Sequence, residues 1–308
     1  RLEKKIKSSV IEPVENATTL KNIKMVSPLR QSSEQAESNS TSKQKNYILK
    51  EGNPIPFLVH LGIMTAQGKV ISSKYDKFRQ INRFLEFIDD ILPSIYKNKP
   101  LHIIDFGCGK SYLTFAVHYF LTQVRHIPCQ IEGLDLKEEV INYCNDIVQK
   151  LKLEGLIFHK GNIEDYSGNA KPDLIITLHA CDTATDFALK YAVERGAKAI
   201  LSVPCCQHQI NSQLSKKTSS PATDFEPLLK WGIIREKFSS LVTDALRGEW
   251  LEAQGYKVQM LEFIDMEHTP KNILIRAVRE NAELRMKNEE LLKPSLLKTL
   301  GVQAEIFE

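Results

Sequence analysis

From residue 101 onward, short apolar runs alternate with segments in which apolar residues recur every three or four positions. The short runs suit strands that are buried on both faces, and the longer segments have the period of amphipathic helices. Predicted strands begin at Leu101 and cover 130–136, 156–160, 173–178 and 199–203, and predicted helices cover 112–121, 137–151, 184–195 and about 241–254. This alternation predicts an α/β fold, in which helices cover both faces of a parallel sheet.

The end of this region breaks the alternation. Residues 256–264 and 272–278 are both strand-like, and only the polar segment 265–271 separates them. Because so short a connection joins antiparallel neighbours, the last strand is predicted to return antiparallel. The sheet should therefore have seven strands, most of them parallel. Residues 280–308 are predicted to form a helical tail, broken at Pro294, that docks on the outside.

The first hundred residues differ from the rest in composition and in the pattern of their apolar residues. Residues 1–45 are predicted to be the remnant of an upstream segment plus a flexible linker, since 27–45 is rich in Ser, Gln, Glu and Asn. Before the linker, residues 4–14 alternate weakly, as a strand would. Residues 46–100 are interpreted as an N-terminal extension, whose amphipathic helix at 77–92 is expected to lie beside a cofactor. Residues 101–279 then form the core domain.

An acidic residue and two spaced glycines close the first core strand, in the string 105–111 that reads Asp-Phe-Gly-Cys-Gly-Lys-Ser. A P-loop ending in this Gly-Lys-Ser needs a glycine in place of Ile104, and a dinucleotide fingerprint needs one in place of Tyr112. What remains is Asp-x-Gly-x-Gly, with the small Ser111 where a third glycine often stands. That pattern is typical of methyltransferases that use S-adenosylmethionine (SAM). Their glycines let the backbone approach the amino-acid end of the cofactor, and the acid orients its ammonium.

The ends of the next two strands carry suitable residues for the rest of an adenosyl ligand. Asp135 ends the second strand, where a carboxylate can accept hydrogen bonds from both ribose hydroxyls. Asn162 and Ile163 follow the third strand, where methyltransferases read the adenine edge and cover its face. The predicted cofactor-binding residues are therefore Asp105, Gly107, Gly109, Lys110, Asp135, Asn162, Ile163 and Leu178.

Two strings of polar and soft side chains follow the fourth and fifth strands, at 178–186 and 204–208. In a doubly wound sheet, ligands bind beyond the carboxyl ends of the strands, so both strings should border the active site. His179 and His208 are candidate general bases, because a histidine titrates near working pH. Asp182 is a second choice. The alternative is that His179 only caps the end of its strand.

The adjacent Cys205 and Cys206 allow several interpretations. They can be small buried residues that pack behind the cofactor. Cys205 can also be a thiolate that attacks a pyrimidine. A zinc site built from Cys181, these two cysteines and His208 is disfavoured, because adjacent cysteines rarely chelate one tetrahedral ion well, and no metal is expected.

These strings carry a specific resemblance. The patterns His-x-Cys-x-x-Ala-Thr-Asp at 179–186 and Cys-Cys-x-His at 205–208, with Asp-Phe-Gly-Cys-Gly-Lys upstream, resemble one methyltransferase domain family. Its members include the eukaryotic acceptor-stem tRNA ribose 2′-O-methyltransferase, the glutathione-transferase-C-terminal-domain-containing protein and uncharacterised bacterial SAM-dependent enzymes. The bacterial members are the most similar, on the run at 74–84. The likeness covers about residues 46–278. Asp182 departs from the glycine that often stands there in eukaryotic members.

The resemblance implies a class I SAM-dependent methyltransferase with a Rossmann-like fold. Its substrate is expected to be RNA, similar to tRNA, methylated at a ribose hydroxyl by direct in-line transfer. Two alternative functions remain. The first is methylation of a small molecule or protein, and the second is a SAM-binding module without turnover. No Asn/Asp-Pro-Pro-Tyr/Phe string follows the fourth strand, which argues against the common exocyclic-amine class.

Composition and charge add limits. The chain has 308 residues, of which 42% are hydrophobic and 26% charged, enough for one sizeable core with appendages. No apolar run reaches the roughly 18 residues of a membrane span, so no membrane association is expected. The six cysteines show no paired spacing, which predicts reduced thiols and a cytoplasmic setting. Residues 1–50 carry ten Lys or Arg and five Glu, a net charge of +5, so a basic segment that adds RNA affinity is one interpretation and a solvated linker the other.

Overall fold

The computed structural model describes residues 47–166, 168, 171–178, 180–216, 225–263, 272–280 and 295–308. Residues 46–308 belong to one compact unit. Its helices are α1 (Pro56–His60), α2 (Tyr75–Ile95), α3 (Tyr112–Tyr119), α4 (Glu138–Leu151), α5 (Thr183–Glu194), α6 (Gln209–Lys216), α7 (Glu226–Leu229), α8 (Gly232–Ala253) and α9 (Ser295–Leu300). Its strands are β1 (Leu101–Phe106), β2 (Cys129–Asp135), β3 (Leu156–Lys160), β4 (Leu174–Thr177), β5 (Ala199–Ser202), β6 (Tyr256–Glu262) and β7 (Ile273–Arg279).

The seven strands form one sheet in the order β3-β2-β1-β4-β5-β7-β6. Strands β1 to β5 pair in parallel, and β7 pairs antiparallel with both β5 and β6. The predicted α/β fold with seven strands, mostly parallel and with the last strand antiparallel, is confirmed. Because the strand order reverses between β1 and β4, the edge above these two strands is the place where such folds bind ligands.

Helices cover the sheet on both faces, as predicted. Along β1, Ile103 belongs to a core with residues of α2, α3 and α4, and Ile104 belongs to a second core with residues of α5, α8 and α9. This division follows from the strand period of two, which sends successive side chains to opposite faces. Both cores are apolar, so the central strands are buried on both sides.

Several boundaries differ from the sequence predictions. Helix α8 begins at Gly232, nine residues before the predicted start at Leu241, and α2 runs through Pro93 to Ile95. The short helices α6 and α7 were not predicted. The predicted strand at 4–14, the linker at 27–45, the turn at 265–271 and the break at Pro294 lie outside the described residues. The division of the chain into four domains stays a prediction.

The end of the tail packs against the domain. Leu297, Leu300 and Ile306 are buried in the second core, and Glu305 forms an ion pair with Lys190 of α5. Across the described residues, no helix is both long and apolar enough to cross a bilayer.

Candidate active site

The turn between β1 and α3 depends on left-handed backbone. Gly107 has φ 70°, Gly109 has φ 52°, and Ser111, just before α3, has φ 56°. The first two positions suit glycine, and a serine is tolerated at the third. The amides of Gly107 and Cys108 both donate to the carbonyl of Leu134, at 2.9 and 3.0 Å, so the turn is fixed against β2.

A cavity of about 180 Å³ opens in front of this turn. Its lining residues are Lys77, Gln80, Ile81, Asp105, Gly107, Cys108, Lys110, Ser111, Tyr112, Leu113 and Leu178. Four predicted cofactor residues therefore share one cavity, namely Asp105, Gly107, Lys110 and Leu178. The amphipathic helix α2 supplies one wall, as expected of a helix beside the cofactor.

Asp105 is the buried acid of the cavity, and only 3% of its surface is exposed. Burial raises the pKa of Asp105 to about 7, a hydrogen bond from the Thr114 hydroxyl opposes the rise, and the charge of Asp135 adds to it. That hydrogen bond joins Thr114 Oγ1 to Asp105 Oδ2 at 2.5 Å. The side chain is therefore held in place, and its ionised form is costly without a cation nearby.

Asp135 is hydrogen-bonded to the backbone of the glycine turn. Its Oδ2 accepts from the amide of Gly109 at 3.0 Å and its Oδ1 accepts from the amide of Lys137 at 2.9 Å. Asn162 and Ile163 follow β3, next to the end of β2. Asn162 is exposed, and Ile163 packs against the second core. Four predicted cofactor residues are thus absent from the lining of the cavity, namely Gly109, Asp135, Asn162 and Ile163.

The loops that follow β4 and β5 form the other border of the site, which we call the rim. Asp182 has φ 54° and ψ −126°, a conformation that glycine adopts without strain and that is rare for other residues. Its Oδ1 accepts from the amides of His208 and Gln209, at 2.8 and 3.1 Å, where α6 begins. Two of the four candidate catalytic residues, Asp182 and His208, are thus adjacent. His179 lies outside the described residues.

Arg247 and Asp244 of α8 together hold the two loops, and Arg247 has no exposed surface. Its guanidinium pairs with Asp186 at 2.7 Å and Asp244 at 3.1 Å, and it donates to the carbonyl of Asp182 at 2.8 Å. Burial lowers the pKa of Arg247, but the charges of the two carboxylates outweigh it, so the guanidinium stays charged. Asp244 also accepts from the side chain of Gln207 at 2.9 Å, which ties the β5 loop to the same helix.

The sulfur atoms of Cys181, Cys205 and Cys206 meet between these loops. Burial and the neighbouring thiols of Cys181 and Cys206 raise the pKa of Cys205 to about 12. A thiol of that kind is protonated at neutral pH, which disfavours Cys205 as a nucleophile.

Residues 76–213 match the family model described as a methyltransferase domain. The match spans α2, the glycine turn, Asp135 and both loops of the rim, which are the parts that build the cavity and its border. Residues 76–213 of the chain therefore form a methyltransferase domain.

This methyltransferase also resembles glutathione S-transferase C-terminal domain-containing proteins. The one from Xenopus laevis is 25% identical over 233 residues, which cover 68% of this chain and 35% of that protein. The one from Homo sapiens is 25% identical over 198 residues, which cover 57% of this chain and 30% of that protein. The chain spans about a third of the length of these relatives.

Two solved structures are similar at a lower level. A SAM-dependent methyltransferase from Aquifex aeolicus is 15% identical, with a TM-score of 0.40, and the match covers 74% of this chain and all of that one. Magnesium protoporphyrin IX methyltransferase from Synechocystis PCC 6803 with bound SAM is 13% identical, with a TM-score of 0.41 and coverage of 69% and 86%. Likeness at this level bears on neither substrate nor mechanism.

The cavity of the methyltransferase fits its cofactor. SAM carries a positive charge on its sulfonium and another on its ammonium, and the buried Asp105 next to Asp135 offers the negative charge that they need. A methyl group added at Gly109 would meet no atom within 4 Å, so the space before the turn is open. Leu178 supplies an apolar wall.

Three residues at the cavity were missed by sequence reasoning. Lys77, Gln80 and Tyr112 line it, and the Lys77 ammonium lies 4.0 Å from the centre of the Tyr112 ring. The sequence carried one weak signal for Lys77 and Gln80, which is that they share a face of α2 with the apolar Ile81.

Proposed function

We propose that this methyltransferase transfers the methyl group of SAM to a ribose 2′-hydroxyl of RNA. The patterns at 179–186 and 205–208, which resemble those of the acceptor-stem tRNA enzyme, support this substrate. The names of the relatives do not identify the molecule that accepts the methyl group. The observation that carries the proposal is a group of lysine ammonium groups at the mouth of the cavity.

That group consists of Lys74, Lys77 and Lys110. Lys77 and Lys110 line the SAM cavity, and Lys74 and Lys77 line a neighbouring cleft of about 370 Å³. Burial lowers the pKa of Lys77, and the charges of Lys74 and Lys110 lower it further. These three cations repel one another in the free protein. A phosphate backbone beside them relieves the repulsion and releases its own counterions, so a polyanionic acceptor is favoured at this mouth.

The residues of the chain position the two reactants and remove one proton. SAM supplies a methyl group already activated by its sulfonium, so in-line alignment of the acceptor is the main task. The proton of the ribose hydroxyl needs a base, for which His208 is the best placed of the described residues, since its side chain is exposed on the rim. Asp182 is a weaker candidate, because its Oδ1 is engaged by two backbone amides. His179 stays a candidate from sequence.

The test of the substrate uses SAM labelled in its methyl group. The full chain is incubated with total RNA, protein and small-molecule fractions, and labelled RNA is digested to nucleosides. Label in 2′-O-methyl nucleosides is the expected result. Label confined to protein or small molecules contradicts the proposal and supports the first alternative function. SAM binding without transfer to any fraction supports the non-catalytic module.

Two sets of variants test the assignment of roles. Lys74→Gln and Lys110→Gln should each weaken RNA binding and flatten its salt dependence by about one unit of log–log slope. Lys74→Gln should keep SAM affinity within a few-fold, because Lys74 does not line the SAM cavity. Lys257→Gln, on the exposed strand β6, is the matched control and should change neither. His208→Gln should keep SAM affinity and lower the rate by about a hundred-fold. Wild-type turnover in His208→Gln would remove it as the base.

The basic N-terminal segment gives an independent check. Deletion of residues 1–45 should weaken RNA binding and reduce the salt slope further, while the remaining chain still makes the same modification. An unchanged slope would assign this segment the role of a linker.

A further inference from the structure

Three thiol groups from two loops converge on the rim of the active site. The Sγ atoms of Cys181 and Cys205 are 3.4 Å apart, and those of Cys205 and Cys206 are 3.7 Å apart. All three sulfurs lie within 4.8 Å of one another. In the described part of the chain, no other group of three potential metal ligands is this close. Since β4 and β5 are adjacent, their loops bring together cysteines that are 24 residues apart in sequence.

The distances between these sulfurs suit a common metal ion. A zinc ion holds thiolates at about 2.3 Å in a tetrahedron, which places the sulfurs about 3.8 Å from one another. The two measured separations are close to this value, so small side-chain rotations suffice to seat the ion. The sequence argued against such a site because Cys205 and Cys206 are adjacent, but the structure places the sulfurs of both within 4.8 Å of Cys181 Sγ.

The loops that carry the thiols are held by bonds that do not involve the sulfurs. The amide of Asp182 donates to the carbonyl of Cys206 at 3.1 Å, and Gln207 donates to the buried Asp244. Arg247 binds the carbonyl of Asp182 from α8. The ligand atoms are therefore placed before an ion arrives, which lowers the conformational entropy lost on binding.

We propose that Cys181, Cys205 and Cys206 bind one zinc ion as thiolates. Cys181 is exposed, so the ion can enter from solvent, and each thiol loses its proton to solvent as the ion binds. Three protein ligands leave the fourth position open, as in zinc sites that take an exchangeable ligand. The site lies on the acceptor side of the rim and is independent of the proposal that the acceptor is RNA.

The test uses the full chain, purified under a non-thiol reductant, stripped of metal with a chelator and titrated with zinc chloride against a chromophoric chelator. One equivalent of zinc should bind. Cobalt chloride should give the near-ultraviolet absorption of thiolate-to-cobalt charge transfer. Zinc affinity should rise with pH, because the ion displaces thiol protons. Less than half an equivalent of zinc in fully reduced protein overturns the proposal.

Single variants identify the ligands. Cys181→Ser, Cys205→Ser and Cys206→Ser should each lower zinc affinity by about ten-fold or more. Cys129→Ser, at the buried start of β2, is the control and should keep it. SAM binding by each variant shows that it is folded. The cobalt spectrum of the wild type needs no variant, so a variant that fails to fold does not decide the matter. Retained affinity in all three rim variants overturns the assignment.

Discussion

The pKa of Asp105 makes the affinity for SAM depend on pH in a defined direction. The sequence predicts that the ammonium of SAM pairs with this side chain, and only the ionised carboxylate offers the negative charge that the ammonium needs. With a pKa of about 7 in the free protein, roughly one molecule in thirty is ionised at pH 5.5 and about half are at pH 7.0. Affinity should therefore rise roughly fifteen-fold between these values. Above that range the rise should level off because Asp105 is almost fully ionised, and affinity should fall once the α-amino group of SAM begins to lose its proton near about pH 8.

Isothermal titration calorimetry measures both the affinity and the proton that is released. Titrations at pH 6 in two buffers of different ionisation enthalpy should show close to one proton released per SAM bound. Asp105→Asn keeps the shape of the side chain and should bind SAM weakly, with little dependence on pH. A wild-type affinity that is flat from pH 5.5 to 7.0, with no proton released, refutes this reasoning.

Ionisation of Asp105, which should favour SAM binding, destabilises the ligand-free protein. Because burial raises its pKa in the folded state, the stability that Asp105 contributes is complete below the ordinary pKa of an aspartate. It is lost as the pH rises to about 7. Asp105→Asn should therefore raise the melting temperature of the ligand-free protein at pH 8, while it weakens SAM binding. A lower melting temperature for Asp105→Asn at that pH would contradict the sign.

Three further variants and one control test the residues that support the site. Gly133→Ala places a methyl carbon 2.3 Å from the ring of Phe158 and should lower the free energy of unfolding by about 1–3 kcal/mol. The control, Gly161→Ala, has its nearest contact at 3.6 Å and should lower it little. Urea unfolding measures both. Asp182→Asn should keep stability and activity, because the amide oxygen still accepts from both backbone amides, and lost activity with intact folding would restore Asp182 as the base. Arg247→Met should cost about 3–5 kcal/mol, since two buried carboxylates lose their counter-charge, and thermal unfolding near the wild-type temperature would contradict this.

The cofactor side of the site could be predicted from sequence because its signals are local. The glycine turn, Asp105 and Asp135 each follow directly from a strand that its apolar run identifies. The left-handed φ of Ser111 agrees with its interpretation as a substitute for glycine. Likewise, the positive φ of Asp182 is one that glycine adopts without strain, which agrees with the glycine expected at this position from the resemblance.

The contacts that hold the acceptor side could not be predicted, because they join residues that are distant in sequence. Helix α6 begins where amides bind a carboxylate 26 and 27 residues earlier, which no local capping pattern reveals. Arg247 is buried because Asp186 lies 61 residues away in sequence and directly beside it in space. The early start of α8 was missed because its first turn exposes Ile233 and Ile234 and so lacks an amphipathic pattern.

The attachment of both rim loops to Arg247 and Asp244 has a consequence for how the site forms during synthesis. All residues that line the SAM cavity lie between positions 77 and 178, whereas the helix that holds the acceptor loops starts at Gly232. A growing chain therefore contains the residues that line the cavity before it contains the helix that supports the acceptor loops. The second core, which includes Ile104 of β1 and residues of α8, is also completed only after this helix has been made.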